Sequence, residues 1–347
     1  MCDVYGILSK IVRKTWLVIF ILLLGCEPKV DLSADWQDIT VIHGFLEDGA
    51  YPGFAVRISR AFMGDKPVAD MAAEPDSTNY KEPMEVYIEE FYNNYAVTQL
   101  IPDRDTFEWE KKPGIFPRNG NIWYFSRLRT TPNKTYKLIV YFPERDKYVS
   151  ATSHVVDRPR IYEPSNDGLI IYLADKSSFQ IGYATVAYGA YYQISLIFNY
   201  VEAYNTYGKT AEEKSFQMDL PAKVITPPDL GSSSERITQS IPYHTIFGKL
   251  AEGIATDSTI KARYLKGVNI RLFISTEEYN LYYHSGFEFE FGSTRNRYTN
   301  VINGAGLFSS QGVKFIRNLI PDQVSMDSLA FGGITRKLKF SNEILTQ

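Results

Sequence analysis

The chain has 347 residues and a net charge of −3, from 37 Lys and Arg against 40 Asp and Glu, with no basic stripe or block of like charge. This balance argues against nucleic acid as a partner. The two cysteines, Cys2 and Cys26, both lie near the N-terminus. Their position excludes a disulfide framework, a thiolate nucleophile or a Cys-ligated metal site in the rest of the chain.

The first residues have the order of an export signal. Three basic residues precede the uninterrupted apolar stretch 16–24, which is too short for a membrane-spanning helix of roughly 20 residues. The end of this stretch resembles the lipobox of bacterial lipoproteins: Leu23, Leu24, Gly25 and Cys26. The resemblance implies acylation of Cys26 and cleavage just before it, and more than one acyl chain gives a stable anchor. We therefore expect residues 1–25 to be a signal peptide and residues 26–36 to be a lipidated tether.

Short alternating segments predict strands in the next part of the chain. In 54–60, for example, Phe54, Val56 and Ile58 face one way and Arg57 and Ser59 the other. Further strands are predicted at 39–45, 84–90, 96–101, 121–128, 135–142 and 149–152. This number of strands predicts an immunoglobulin-like β-sandwich over residues 37–157. The proline-rich segment that starts at Arg158 marks the boundary.

The second part, residues 158–347, is predicted to be another mainly β domain. Its strands are expected at 169–173, 190–200, 267–274 and 287–291. Two short helices are expected at 243–253 and 276–284, the second with Thr276 as its N-cap. A helical turn is also expected near 68–73. The predicted fold is therefore mainly β, with two β-sandwich-like domains and a few short helices.

Three stretches together carry a family resemblance: 38–45, 197–202 and 298–308. They resemble Bacteroidetes-type outer-membrane lipoproteins with a large domain of unknown function, often encoded beside TonB-dependent receptors. The resemblance implies an outer-membrane location and a TonB-dependent transporter as a partner. It carries over no catalytic residue.

The most specific part of the resemblance is a glycine-containing pattern formed by Asn300, Gly304, Gly306 and Phe308. Glycine allows a tight turn or a bulge, so these residues are predicted to form a turn that is either structural or part of a recognition site. A phosphate-binding loop is a poor match, because no helix signal follows the glycines.

Residues with catalytic or ligand-binding chemistry show no recognisable spacing. His43, His154, His244 and His284 have no metal-ligand partner at i+2 or i+4, and the neighbours Ser153, His154 and Asp157 lack a nucleophile-elbow motif. Glu288 and Glu290 are expected to form an exposed acidic strand face, with a glycosidase pair as the alternative. Tyr188, Tyr191 and Tyr192 are expected to be at least partly core, with a stacking platform as the alternative.

The sequence thus predicts no catalytic residue, metal site or cofactor. The expected function is that of a lipid-anchored outer-membrane accessory or binding protein, associated with a TonB-dependent transport system. The alternative is a surface glycan-binding protein or glycan-cleaving enzyme. The sequence leaves open which face of the outer membrane the protein occupies, and any small-molecule or glycan ligand is unknown.

Overall fold

Alternation of apolar and polar residues produces most of the strands, because successive side chains of a strand point to opposite faces. The computed structural model describes residues 38–47, 54–62, 66–92, 95–100, 103–105, 114, 122–126, 129–174, 177–205, 208–226, 234–285 and 298–343. In these ranges eight strands precede residue 158: β1 (Thr40–Glu47), β2 (Phe54–Arg60), β3 (Glu85–Tyr92), β4 (Tyr95–Leu100), β5 (Asp103–Asp105), β6 (Trp123–Ser126), β7 (Thr135–Phe142) and β8 (Lys147–His154).

The strands described after residue 158 vary more in length. They are β9 (Ile161–Glu163), β10 (Ile170–Ile171), β11 (Ser178–Ala184), β12 (Tyr191–Tyr204), β13 (Glu212–Asp219), β14 (Lys223–Val224), β15 (Arg236–Pro242), β16 (Ile260–Ser275), β17 (Val301–Ile302) and β18 (Gly304–Pro321). The predicted strand 287–291, and with it Glu288 and Glu290, lies outside the described residues.

The helices are short: α1 (Val68–Ala73), α2 (Pro75–Thr78), α3 (Tyr243–Gly253), α4 (Glu277–His284) and α5 (Gln323–Phe331), with 3-10 turns at Pro143–Arg145 and Arg336–Leu338. Helix α3 buries Ile246, Phe247 and Leu250, which helical spacing places on one face. Helix α5 was not predicted. It is capped by the carboxylate of Asp322, which accepts a hydrogen bond from the Ser325 amide.

The predicted cap of α4 is different in the structure. Thr276 precedes the helix, but its side chain makes no capping hydrogen bond. The hydroxyl is buried and lies 2.9 Å from the Ser309 hydroxyl of β18 instead. A tertiary contact has therefore replaced the local cap, while Glu277 and Glu278 still place negative charge at the positive end of the helix.

Three sheets are present in the described part of the chain. The largest has the strand order β13-β12-β16-β18-β1-β2-β6-β5, with β10 beside β18 and β14 beside β12. A five-stranded sheet has the order β17-β8-β7-β3-β4, and a three-stranded sheet has the order β15-β11-β9. The mainly β, sandwich-like fold class that the sequence predicts is confirmed.

Strand β18 joins the two parts of the molecule. Its first half pairs in parallel with β1, in a register that runs from Thr40 opposite Gly304 to Glu47 opposite Gln311. Its second half pairs antiparallel with β16. Residues 38–347 accordingly form one compact unit.

The buried side chains form two clusters. One lies between the β1–β2 end of the large sheet and the five-stranded sheet, and its members fall between Ile42 and Val155 except for Val301 and Phe308. The other lies under β12, β16 and the second half of β18, and its members all fall between Ile161 and Phe340. The position predicted as a domain boundary, near residue 158, thus separates the two cores but not the large sheet.

Candidate functional site

The segment 300–308, which runs through β17 and the turn at Asn303 into the start of β18, contains the four residues that the sequence singled out. Its chain reversal occurs at Asn303, which has a left-handed φ of 59°. Asn300 lies before β17 and bonds to Phe308 in both directions: its Nδ2 donates to the Phe308 carbonyl at 2.6 Å, and its Oδ1 accepts from the Phe308 amide at 3.0 Å. The Asn300 side chain therefore closes the turn in the way that a neighbouring strand would.

The two glycines lie just past the reversal, inside β18. A Cβ on Gly304 would stand 2.6 Å from the carbonyl oxygen of Thr40, and a Cβ on Gly306 would stand 2.0 Å from that of Ile42. Gly306 also has a φ of 107°, which L residues rarely adopt. Both positions need glycine because β1 passes directly against them.

Phe308 completes the structural part of this segment. Its ring is fully buried and meets the Phe54 ring edge-on, with centroids 6.0 Å apart. The segment also has an exposed part. The Ile302 side chain is 63 % exposed, and the Asn303 side chain donates to the carbonyl of Tyr148 on β8 at 3.1 Å. The turn is therefore buried at Phe308 and exposed at Ile302.

Ile302 belongs to a larger surface, which we call the tyrosine face and define by Tyr87, Ile139, Tyr141, Tyr148 and Ile302. Tyr148 and Ile302 are exposed, and the other three residues are half-buried. This face lies on the outer side of the five-stranded sheet. Tyr141 stands opposite Tyr148, and Tyr87 stands opposite Ile139. Ser150 links the two sides of the face, because it pairs with both Ile139 and Ile302. With strands about 4.8 Å apart, four strands give a face about 15 Å wide.

Two tyrosine rings form the centre of this face. Tyr141 and Tyr148 stack with centroids 4.3 Å apart and an interplanar angle of 22°, yet Tyr148 remains 53 % exposed. Exposed aromatic and apolar side chains at adjacent positions of one sheet face are typical of a binding surface, whereas single exposed apolar residues are common on any protein.

The hydroxyls of Tyr141 and Tyr87 are protonated at neutral pH, and their surroundings move the pKa of both groups further upward. Loss of hydration raises the pKa of Tyr141, and the neighbouring Tyr148 and Asp146 raise it further. A hydrogen bond to the Glu85 carboxylate raises the pKa of Tyr87. At neutral pH both side chains are therefore hydrogen-bond donors at the edge of an apolar surface, a combination that suits Tyr to interfaces.

The first described residue, Asp38, is fixed at the end of the five-stranded sheet where β7 connects to β8. Its carboxylate lies 2.9 Å from the Lys147 ammonium group and also accepts a hydrogen bond from Arg145. Burial acts to raise the pKa of Asp38, but the hydrogen bonds and charges of Lys147 and Arg145 outweigh burial and lower it. Lys147 directly precedes Tyr148 in β8. The Lys147 side chain points to the core-facing side of β8, opposite to Tyr148, so Asp38 lies at the same end of the sheet as the stacked tyrosine pair but on its other face.

Two of the four histidines, and the tyrosines between residues 188 and 192, pack against other side chains of the fold. His43 Nε2 lies 3.0 Å from the Tyr282 hydroxyl of α4, as expected for a packed, hydrogen-bonded histidine. His154 ends β8 rather than lying in a loop, and its ring stacks on Tyr188 with centroids 4.2 Å apart. Tyr191 and Tyr192 are buried, as predicted for core residues. The Ser153 hydroxyl donates to the backbone carbonyl of His154, not to its ring.

Cys26 and the lipobox residues Leu23, Leu24 and Gly25 lie outside the described residues. Within the described ranges, no three His, Cys, Asp or Glu side chains gather into a group that could hold a metal ion. The helices described here include none that is long and apolar enough to cross a membrane.

The tyrosine face itself was not predicted. Tyr87, Tyr141 and Tyr148 each fall in or beside an alternating segment, and 143–146 between β7 and β8 is short enough for a hairpin. A hairpin at this position would place Tyr141 opposite Tyr148, so this pair could have been predicted from the sequence. The positions of Tyr87 and Ile302 depend on the pairing of β3 with β7 and of β17 with β8, which local periodicity does not give.

The chain belongs to the family described as Domain of unknown function (DUF4249), which matches residues 27–317. The match covers well over half of the chain, including the strands of the tyrosine face, the turn at Asn303 and most of β18. A comparison with curated proteins finds no match. The part of the resemblance that concerns a large domain of unknown function is thereby confirmed.

Proposed function

We propose that the protein is a lipid-anchored outer-membrane accessory protein that binds a protein partner through the tyrosine face and performs no catalysis. The partner that we propose is a TonB-dependent transporter in the same membrane. The observation that carries the proposal is the stacked Tyr141–Tyr148 pair, with Tyr148 53 % exposed, on the outer side of a sheet whose β7–β8 end also holds Asp38, the first residue described after the predicted tether.

The composition of the face favours a protein partner. Interface centres are enriched in aromatic residues and depleted of charge, with a polar rim around them. In the tyrosine face three tyrosines and two isoleucines lie together. They are bordered by charged residues: Glu85 stands opposite Tyr141, Asp146 accepts from Tyr141, and Glu89 and Lys137 are the next pair beyond Tyr87 and Ile139. It is also the outer side of a sheet and not a cleft, which suits another folded surface better than a small ligand.

The position of the face favours a partner in the same membrane. Lipidation of Cys26 would leave residues 27–37 between the acyl chains and Asp38. A chain of this length reaches at most about 40 Å when fully extended. The tyrosine face would thus stay within about one domain diameter of the bilayer, where the surface of a membrane-embedded transporter is accessible to it.

The test is co-purification from detergent-solubilised outer membranes, with partners identified by mass spectrometry. Tyr148→Ala combined with Ile302→Ser should reduce recovery of the transporter, since removal of a central interface aromatic commonly costs about 2 kcal/mol or more, equivalent to about thirtyfold in affinity. Tyr172→Ala is the matched control, because Tyr172 is similarly exposed but lies on the other part of the molecule.

A separate experiment tests the proposed lipid anchor at Cys26. Cys26→Ala should abolish labelling by radioactive palmitate and move the protein from the membrane to the soluble fraction. Membrane retention of this variant would refute the anchor. Equal recovery of a transporter with wild type and with the Tyr148/Ile302 variant, both shown to be folded by circular dichroism, would refute the tyrosine face as the docking surface.

A further inference from the structure

A second candidate site lies on the other part of the molecule, between strands β9, β10 and β11. It is an open cleft of about 310 Å³. This volume is at the lower end of the range of roughly 300–1,000 Å³ that is typical of small-molecule sites. Its lining comes from three neighbouring stretches of chain, 162–165, 169–172 and 178–180. The cleft is therefore built by strands and by the connections between them.

Two exposed tyrosine rings line this cleft. Tyr172 is 45 % exposed and Tyr162 is 37 % exposed, and the Ile170 side chain beside them is 60 % exposed. The guanidinium carbon of Arg236 lies 4.6 Å from the centroid of the Tyr162 ring. Such a cation–π contact helps to hold the ring in one orientation. Tyr162 is thus an ordered aromatic surface at the wall of a cleft.

The polar groups of the lining point to an uncharged ligand. They are the Glu163 carboxylate, the Gln180 amide and the hydroxyls of Ser165 and Ser178, and no lysine or arginine is among the described lining residues. A phosphate or carboxylate ligand would meet the negative charge of Glu163, whereas the nearby cation Arg236 is not among the lining residues and lies against the Tyr162 ring. A ligand with many hydroxyl groups would find both donors and acceptors here.

The chemistry of a saccharide fits both the aromatic rings and the polar side chains that line this cleft. The C–H groups on the two sides of a sugar ring form flat, slightly positive surfaces, which stack on the negative face of an aromatic ring. The hydroxyls around the ring need hydrogen-bond partners, and an amide, a carboxylate and two serines can supply them. A fatty chain would leave these polar groups without partners, at a cost in affinity.

We propose that this cleft binds a neutral saccharide of one or two rings, stacked on Tyr162 and Tyr172 and hydrogen-bonded by Glu163 and Gln180. The site is separate from the tyrosine face, and its occupant does not depend on the partner proposed for that face. A protein with both surfaces would hold a sugar in one part of the molecule and dock on a membrane partner through the other.

The experiment is saturation-transfer difference NMR on the full chain, in a detergent without a sugar headgroup. The probes are maltose, cellobiose and N,N′-diacetylchitobiose, with glucose 6-phosphate as an anionic comparison. At least one neutral probe should receive saturation at its ring protons, and glucose 6-phosphate should receive much less. Tyr162→Ala and Tyr172→Ala should each weaken the measured affinity by about tenfold, whereas Tyr172→Phe should retain it because the stacking ring remains.

The Tyr148→Ala variant is the control, since it alters an equally exposed tyrosine on the tyrosine face and should bind the saccharide like wild type. Absence of saturation on every neutral probe would overturn the proposal. So would signals that persist unchanged in both alanine variants of the cleft, because the sugar would then bind elsewhere. Neither result bears on recovery of the transporter, so failure of the saccharide site and failure of the proposed function are distinguishable.

Discussion

His43 illustrates, at the scale of one residue, how the packing of β1 against α4 determines a chemical property. Burial is the main cause that lowers its pKa from 6.5 to about 4, and the nearby charge of Arg57 lowers it further. The neutral ring lies beside the Tyr282 hydroxyl. His43 is therefore a structural histidine that resists protonation, not a proton-transfer group poised near pH 7.

This pKa makes stability depend on pH in a defined window. Between about pH 6.5 and pH 4 the unfolded chain takes up a proton at His43 and the folded chain does not. The free energy of unfolding should therefore fall as the pH decreases through this window, by roughly 3 kcal/mol at pH 4. The measurement is chemical denaturation across this range for wild type and for His43→Gln, which cannot titrate. A constant difference in stability between the two proteins at every pH would contradict the prediction.

At the scale of one element, strand β18 packs so closely against β1 that two of its positions require glycine. Gly306→Ala would force a side chain against the Ile42 carbonyl oxygen at a left-handed φ. We expect a loss of about 3 kcal/mol or more in the free energy of unfolding, from backbone strain and overpacking together. Gly304→Ala should cost less, because its φ is ordinary and its nearest contact is longer.

Thermal melts of both variants give the measurement. Gly248→Ala is the control, since a Cβ there meets nothing within 4 Å and alanine favours the helix α3 in which it lies. The fraction of Gly306→Ala that stays folded should bind the partner like wild type. Unchanged stability combined with lost partner binding would instead assign the glycines to recognition.

Local elements could be read from the sequence with good accuracy, and their long-range partners could not. The predicted helix 243–253 and the predicted strand 135–142 agree with α3 and β7 at both ends. In each, one periodicity and nearby turn signals determine the bounds. The pairing of β1 with β18 has no such local signal, because any alternating strand can pair with many others. The tyrosine face was missed for the same reason.

At the scale of the whole molecule, the two cores are separate but the sheet is continuous. The core made by residues 42–155 needs Val301 and Phe308 from the far end of the chain, and β1 needs β18 as its neighbour. The segment 37–157 has the strands of a sandwich but lacks these parts. We therefore expect it to be much less stable than the complete chain.

The corresponding experiment compares the fragment 38–157 with the chain 38–347. The fragment should melt without a cooperative transition and expose apolar surface that binds a hydrophobic dye. A synthetic peptide spanning 298–312 restores the missing strand, so its addition should recover part of the transition. A sharp, reversible melt of the fragment alone would show that the first core is self-sufficient, as a domain over 37–157 requires.

The parallel pairing of β1 with β18 also determines how late in synthesis the large sheet can be completed. Glu47 and Gln311, which meet at the end of this pairing, are 264 positions apart in the chain. A ribosome makes β1 long before β18, so one edge of β1 has no native neighbour until β18 has been made. Contacts this distant in sequence slow folding, because the long loop must close before they form. The proposed lipid anchor would require export of the unfolded chain through a narrow channel, and late pairing of β18 would keep the polypeptide threadable until that strand has been made.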